Sequence, residues 1–301
     1  MTVPPSAPAP AASGPSPDGL PPLREVIAAH DLSAHKSLGQ NFILDLNLTR
    51  RIARAAGPLD GVTVVEIGPG PGGLTRGLLL EGCRRVIAVE ADQRCAPALA
   101  AIAERHPGRL DVHMADALGV DWSRLVAGIE GTVVIAANLP YNIATKLLIG
   151  WLETEPWPPW FARMALMFQR EVADRIVAAP GSKAYGRLAV IAQWRCEARL
   201  AVTLGPEAFT PPPKVASAVV LLTPRPVCLP ACSVTTLGRV TAAAFGQRRK
   251  MLRQSLKSLV AQPQLLLEVA GIDPQQRAEQ LTPADFARLA AILDRATSDA
   301  R

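Results

Sequence analysis

Short apolar, β-branched runs alternate with helical segments through the first half of the chain, and this alternation constrains the fold most strongly. The runs are VTVVEIG (62–68), RVIAVEAD (85–92), LDVHMAD (110–116), TVVIAANLP (132–140) and RMALMFQ (163–169). Strands that are apolar on both faces and joined by helical crossovers form parallel sheets covered on both sides. The pattern therefore predicts an α/β fold, which binds ligands at the carboxyl ends of its strands.

Changes in composition divide the chain into three regions. Residues 1–22 are rich in proline, alanine, serine and glycine and do not resemble a secretory signal. Such a segment buries too little surface to offset its ordering entropy, so we expect a disordered tail with no chemistry. Residues 23–229 carry the alternating pattern and form the predicted sheet domain. Residues 230–301 read as helical, and the proline-rich stretch near 224–230 predicts the hinge between the two domains.

Charge and cysteine content limit the class of protein. The 301 residues carry a formal net charge of +6 and have a pI of about 9.4, which favours a polyanionic partner such as nucleic acid. Of the five scattered cysteines, only Cys228 and Cys232 are close, and they lack the second pair or histidine cluster of a zinc site. We expect free thiols in a reducing cytoplasm and no metal. We also expect no membrane span, since no run of about 18 apolar residues occurs.

A glycine-rich turn follows the first predicted strand and opens a helix in VVEIGPGPGGLTRGLL. Gly68, Gly70 and Gly73 satisfy the G-x-G-x-x-G pattern of nucleotide-binding turns. Glu90, at the end of the next predicted strand, is placed to bind a pair of ribose hydroxyls. A nicotinamide enzyme and an S-adenosylmethionine enzyme both fit this much of the pattern.

Two features favour S-adenosylmethionine. Pro69 and Pro71 remove two backbone N–H groups from the turn, and a pyrophosphate needs such donors whereas a carboxylate with a sulfonium does not. Asp116 ends the third predicted strand, where it can accept from an adenine amino group. Glu66 and Asn138 also end predicted strands, so the polar groups line one edge of the sheet. We therefore interpret this edge as an S-adenosylmethionine site.

The fourth predicted strand ends in NLPY, which suits the methylation of an adenine amino group. The N6 lone pair is delocalised into the ring, and two acceptors that hold its hydrogens out of the ring plane would localise it. Asn138 Oδ1 and the Leu139 carbonyl supply these acceptors, and Pro140 fixes the turn. Tyr141 can stack on the purine, which is worth about 1–3 kcal/mol per base. The alternative is that Asn138 caps the next helix and Tyr141 belongs to the core.

A basic segment near the C-terminus predicts an RNA-binding surface. FGQRRKMLRQSLKSLV reads as one helix, with Arg249, Arg253 and Lys257 at i, i+4 and i+8 on one stripe. Arg248 and Lys250 widen this patch. A charge run is often only a solvated face, but beside a base-methylation site we expect it to contact phosphates. The target adenosine has to be unstacked, which favours a hairpin loop or bulge over continuous duplex.

These motifs together resemble the KsgA/RsmA family of ribosomal RNA adenine N6,N6-dimethyltransferases. The similarity covers roughly residues 30–260, through KSLGQNFILD, VVEIGPGPGGLT, VIAVEAD, ANLPYNIATKLL, YGRLAVIAQ and FTPPPKVASAVV. The resemblance implies a Rossmann-like class I S-adenosylmethionine-dependent methyltransferase domain with a small C-terminal helical domain. It also implies dimethylation of two adjacent adenosines in the 3′-terminal hairpin of 16S rRNA, adenines 1518 and 1519 in the name of the enzyme class, during small-subunit biogenesis.

The resemblance also assigns roles to individual residues. Phe209, in FTPPP, would be the second aromatic face against the target base, opposite Tyr141, and the alternative is a core phenylalanine beside a stiff triproline. Ile43 and Ala144 replace the usual leucine and serine of the family, which should not abolish the chemistry. The residues implied to form the cofactor site are Asn41, Ile43, Gly68, Glu90, Asp116 and Asn138.

The resemblance also implies a partner, and the residues leave rival functions open. The implied partner is 16S rRNA in the immature 30S subunit, and we expect a monomer. The nearest alternative is an Erm-type methyltransferase of 23S rRNA, which confers macrolide resistance. Two further alternatives are a nicotinamide oxidoreductase and an assembly factor that binds immature subunits without needing catalysis.

Overall fold

The computed structural model of the protein describes residues 16–32 and 40–299. Its strands form a single sheet and are β1 (Thr63–Ile67), β2 (Arg85–Glu90), β3 (Leu110–Met114), β4 (Val133–Ala137), β5 (Arg163–Gln169), β6 (Cys196–Leu204) and β7 (Ser217–Pro224). They lie in the order β3-β2-β1-β4-β5-β7-β6, with β1 to β5 parallel and β7 antiparallel to both neighbours. The predicted α/β fold and all five predicted strands are confirmed.

Helices connect these strands and continue after them. They are α1 (Leu23–Ala29), α2 (Leu46–Ala55), α3 (Gly73–Leu80), α4 (Ala96–Arg105), α5 (Trp122–Leu125), α6 (Tyr141–Leu152), α7 (Arg170–Ile176), α8 (Arg187–Arg195), α9 (Val234–Gly246), α10 (Leu252–Ser255), α11 (Pro263–Val269) and α12 (Pro283–Asp299). Within the two described ranges, none of these helices combines the length and apolar character needed to cross a bilayer.

Alternate residues of each central strand face opposite sides of the sheet, and each side has its own hydrophobic cluster. On β1, Val64 belongs to a first cluster with residues of α2, α3 and α4. Its neighbour Val65 belongs to a second cluster with residues of α6 and α7. Burying one such side chain contributes about 1.5–3 kcal/mol. Coverage of both faces explains why these strands read as continuous apolar runs rather than as an alternating pattern.

A third cluster joins α8 to the C-terminal helices. Val190 and Trp194 of α8 are buried together with Leu237 of α9 and Phe286 of α12. The intervening Ala192 belongs instead to the second cluster under the sheet. The predicted boundary between residues 229 and 230 therefore marks a change in sequence pattern but not a division in packing, because α8 contributes to both cores.

The EPWPPW loop (155–160) also links these regions. The guanidinium carbon of Arg195 lies 4.4 Å from the ring centroid of Trp157 and 4.5 Å from that of Trp194. Arg195 donates to the carboxylate of Glu155, and Trp157 Nε1 donates to the Arg225 carbonyl at 2.7 Å. The loop thus holds α8 and the end of β7 in one arrangement.

The prediction of a disordered tail over residues 1–22 is wrong for its last seven residues. Asp18 is only 4% exposed and forms a salt bridge with Arg76 of α3, which is 2% exposed. Two parallel bonds join the side chains, at 2.5 Å from Nε and 2.7 Å from Nη2. Arg76 lies 58 positions after Asp18 in the chain, and this ion pair holds residues 16–22 in place. Local composition cannot predict so distant a contact. Residues 1–15 lie outside the described ranges.

The sequence does not predict β6. This strand lies at the edge of the sheet, where its exposed residues interrupt the apolar run. It also begins at Cys196 directly after α8 ends at Arg195, so no turn residue marks its start. An edge strand pairs on one side only, and the local pattern is correspondingly weak.

Candidate active site

A cleft opens at the carboxyl ends of the parallel strands, beside the point between β1 and β4 where the strand order reverses. It encloses about 1130 Å³, including its open mouth, which suits a nucleoside-sized ligand. Its walls are the glycine turn after β1, the NLPY turn after β4 and the segment from Gln40 to Ile43. The predicted residues that line it are Asn41, Ile43, Gly68, Glu90, Asp116, Asn138, Leu139, Pro140 and Tyr141.

The backbone N–H groups of the glycine turn, residues 68–72, are all accounted for. The two prolines have none. The N–H of Gly68 donates to a β2 carbonyl at 2.9 Å, and that of Gly72 donates back into the turn at 3.0 Å. The N–H of Gly70 donates to the Glu90 carboxylate at 2.8 Å. A pyrophosphate would find no donor left in this turn, so the geometry disfavours the nicotinamide alternative.

Acidic side chains line the cleft, and burial favours the neutral form of two of them. Glu66 is 1% exposed and accepts from Thr75 Oγ1 at 2.6 Å, and burial raises its pKa to about 8. Glu90 is 5% exposed, and burial raises its pKa as well. Asp116 lies at the exposed rim. In the part of the chain that the structure describes, no group of three or more His, Cys, Asp or Glu side chains could hold a metal ion.

The NLPY turn is held against the glycine turn and the Asn41 segment. Asn138 Nδ2 donates to the Asn41 carbonyl at 3.0 Å, which leaves Oδ1 as the accepting end of the amide. A Cβ added to Gly68 would lie 3.4 Å from Pro140 Cδ, so the two turns are in contact. The Leu139 side chain is buried in the second cluster. Asn138 does not cap α6, whose N-cap is Pro140, so the capping alternative is excluded.

Tyr141 begins α6, and its phenol is tied to the sheet. Its hydroxyl lies 2.6 Å from Oγ of Ser217, which is fully buried at the start of β7. Burial raises the pKa of the Tyr141 phenol, and this hydrogen bond opposes the rise. The bond fixes one end of the ring while the residue remains partly exposed in the cleft. Sequence reasoning missed Ser217, although it lies in the FTPPPKVASAVV block.

The structure does not place Phe209 opposite Tyr141 on an open face. Its ring is 3% exposed and belongs to the first hydrophobic cluster, together with Val202 and Val219. This is the core position that the sequence left as the alternative, and a stacking role would require the ring to leave that cluster. The neighbouring Thr210 exchanges backbone hydrogen bonds with Phe42, at 3.0 and 2.8 Å, so this block borders the cleft through its backbone.

The single basic helix predicted near the C-terminus is wrong. Helix α9 ends at Gly246, and α10 begins only at Leu252. Between them the chain leaves the helix because Met251 forms a β-bridge with Arg277. Arg248 is paired with Glu279 at 2.9 Å. The remaining predicted RNA-binding side chains are exposed and are Arg249, Lys250, Arg253 and Lys257.

Residues 31–295 match the family model described as ribosomal RNA adenine dimethylase. The chain belongs to this family. Ribosomal RNA small subunit methyltransferase A of Xanthobacter autotrophicus is 64% identical over 273 residues, covering 91% of this chain and 94% of the relative. The protein of the same name from Azorhizobium caulinodans is 61% identical over 279 residues, covering 93% and 95%.

Solved structures share the fold of this chain. A dimethyladenosine transferase from Plasmodium falciparum superposes with a TM-score of 0.70 at 24% identity, covering 83% of this chain and 96% of that one. The 23S rRNA methyltransferase ErmE gives a TM-score of 0.65 at 25% identity, covering 84% and 100%. The Rossmann-like class I methyltransferase fold with C-terminal helices is therefore confirmed.

Proposed function

We propose that this chain is an S-adenosylmethionine-dependent methyltransferase that dimethylates N6 of two adjacent adenosines in the 3′-terminal hairpin of 16S rRNA. These are adenines 1518 and 1519 in the name of the enzyme class. The observation that carries the proposal is the position of Asn138, whose accepting Oδ1 ends β4 beside a glycine turn unsuited to pyrophosphate. Family membership and the names of the relatives support the same reaction.

The cleft residues fit S-adenosylmethionine. Glu90 would accept from the ribose hydroxyls and Asp116 from the adenine amino group, and Asn41 and Ile43, which line the same cleft, would close over the cofactor. The buried Glu66 lines the same cleft as a protonated, neutral side chain at pH 7, because burial raises its pKa to about 8. When bound, this cofactor supplies a methyl group on a positively charged sulfur that leaves readily.

The acceptor side of the cleft prepares the adenine. Asn138 Oδ1 and the Leu139 carbonyl accept the two N6 hydrogens and so localise the nitrogen lone pair toward the methyl donor. The bond from Asn138 Nδ2 to the Asn41 carbonyl keeps this oxygen in place. Tyr141, pinned by Ser217, offers its ring for stacking. Each transfer would form a C–N bond, break the C–S bond and release one N6 proton to water. Orientation and electrostatics supply the rate enhancement, so no histidine base is required.

RNA binding is proposed for the exposed cations of the C-terminal helices. Arg249, Lys250, Arg253 and Lys257 would contact phosphates, whereas Arg248 is already neutralised by Glu279. The partner in this proposal is 16S rRNA in the immature 30S subunit. The protein would act as a monomer in the cytoplasm, where ribosomal subunits are assembled.

Methyl transfer to isolated ribosomal subunits tests the proposal. The subunits come from cells that lack this protein, the cofactor carries a labelled methyl group, and mass spectrometry locates dimethyladenosine. We expect 30S subunits to accept the label and 50S subunits to accept none. Label in 50S subunits instead would indicate the Erm-type reaction. Tight binding to 30S without methyl transfer would indicate an assembly factor.

A further inference from the structure

The segment formed by residues 16–30, here called the N-terminal strap, precedes the family match, which begins at residue 31. The strap nevertheless reaches the cofactor cleft. Leu23, the first residue of α1, is 6% exposed and lines the cleft wall. Among the described residues it belongs to none of the three hydrophobic clusters. Leu23 therefore packs on the cleft wall, whereas the nearby Leu20, Val26 and Ile27 pack against the first cluster.

The strap approaches the glycine turn closely. A Cβ added to Gly73, at the start of α3, would lie 3.1 Å from Leu23 Cδ2 and 2.8 Å from the Ile43 carbonyl oxygen. Only glycine leaves room for both segments at this point. Leu23 thus adjoins both the turn and the segment that carries Asn41 and Ile43, the two residues predicted to close over the cofactor.

A buried ion pair fixes the strap to the same helix. Asp18 and Arg76 have side-chain exposures of 0% and 2%, and Arg76 lies three residues after Gly73 on α3. Arg76 Nη1 also donates to the Pro21 carbonyl at 2.8 Å. Arg105 Nε donates to the Asp18 carbonyl at 2.8 Å. Breaking a buried pair leaves an uncompensated charge, so this anchor specifies one position for the strap.

We propose that the N-terminal strap is a built part of the cofactor site, in which Leu23 binds the cofactor as an apolar wall. Asp18 acts as a positioning residue through Arg76. This inference rests on the proposed function, because the ligand is S-adenosylmethionine. It extends the cofactor site beyond the part of the chain that defines the family.

The affinity of the full chain for S-adenosylhomocysteine, measured by calorimetry, tests the role of Leu23. We expect Leu23→Ala to weaken binding about fivefold, since roughly 1 kcal/mol of apolar contact is lost. Leu79→Ala is the matched control. It removes the same atoms from the buried side of α3, away from the cleft, and should lower the melting temperature while leaving the affinity unchanged.

The two variants also separate failure of this inference from failure of the proposed function. If Leu23→Ala binds as tightly as the natural protein, Leu23 is not part of the site. If the natural protein itself fails to bind S-adenosylhomocysteine, the proposed function fails first. Affinity for 16S rRNA should be the same in both variants, and equal losses of RNA and cofactor binding would show general unfolding and overturn the inference.

Asp18→Asn tests the anchor. We expect faster amide exchange in α1 together with weaker binding of S-adenosylhomocysteine. The double variant Asp18→Asn/Leu23→Ala should bind no more weakly than the weaker single variant, because both changes remove one contact. The positioning role of Asp18 would be refuted if the losses of cofactor affinity in the double variant were additive. It would also be refuted if Asp18→Asn speeded amide exchange in α1 but left the affinity unchanged. The Leu23→Ala comparison stands independently if Asp18→Asn does not fold.

Discussion

The cofactor cleft and the C-terminal basic surface place functional side chains in opposite environments. In the cleft, Glu66 and Glu90 are buried, and each accepts a hydrogen bond from a named neighbour. On the C-terminal surface, Arg249 and Arg253 are exposed. Side chains in the cleft are held in position by the fold, so a single substitution there should strongly reduce methyl transfer. Side chains on the C-terminal surface act through summed charge, so single changes should have small effects.

Asn138→Ala should give the largest effect. It removes one of two acceptors for the N6 hydrogens, and we expect methyl transfer to fall about 10²–10³-fold while RNA affinity is unchanged. Transfer of labelled methyl groups to 30S subunits and filter binding measure the two quantities. Asn47→Ala, an exposed asparagine outside the cleft, is the control. Turnover in the Asn138 variant equal to that of the control would remove Asn138 from the mechanism.

Charge reversal on the basic surface should come next. With Arg249→Glu and Arg253→Glu combined, RNA affinity should decrease and the slope of log affinity against log salt should become shallower by about 2. Affinity for S-adenosylhomocysteine should not change. Arg248→Ala is the matched comparison, because its charge is already paired with Glu279. If Arg248→Ala changed the slope of log affinity against log salt and the double charge reversal did not, the assignment of Arg249 and Arg253 to RNA binding would be contradicted.

The bond between Tyr141 and Ser217 predicts a smaller, paired effect. Tyr141→Phe and Ser217→Ala each remove the same hydrogen bond, and each should lower kcat/KM for 30S subunits about fivefold, which corresponds to about 1 kcal/mol. The double variant should be no worse than either single one. Steady-state kinetics on the three variants measure the coupling. Independent, additive losses would show that Ser217 does not position the ring.

The buried Glu66 predicts a pH dependence of stability. Burial raises its pKa from 4.5 to about 8 in the folded protein, so between these values the folded state holds a proton that the unfolded state has released. The free energy of unfolding should therefore fall as pH rises, by about 1 kcal/mol from pH 7 to pH 8. Denaturant titrations should show this slope in the natural protein but not in Glu66→Gln. Glu90 adds a slope of the same sign to both proteins.

The central strands and most of the cleft residues could be predicted from the sequence. Strands β1 to β5 and the residues that end them follow from periodicity, because both faces are buried and each strand end meets the same edge. The cleft residues Glu90, Asp116 and Asn138 were predicted for this reason, and the structure brings them together.

Features that depend on distant partners were not predictable. The order of the strap depends on a charge pair between Asp18 and Arg76. The end of α9 depends on the bridge between Met251 and Arg277, which draws the chain out of a locally favourable helix. The sequence resemblance implied a stacking ring for Phe209, whereas the assembled sheet buries it in the first cluster. Local patterns do not contain these contacts.

The sandwich of Arg195 between Trp157 and Trp194 has a practical consequence. All five tryptophans of the chain precede residue 195, so native fluorescence arises entirely from the portion on which the C-terminal helices rest. Indole emission responds to a cation held against the ring. If RNA binding pulled those helices away from α8, Trp194, which is buried against them, would become exposed and its emission would change. Tryptophan fluorescence would therefore report, without any added label, whether the C-terminal helices remain packed on α8.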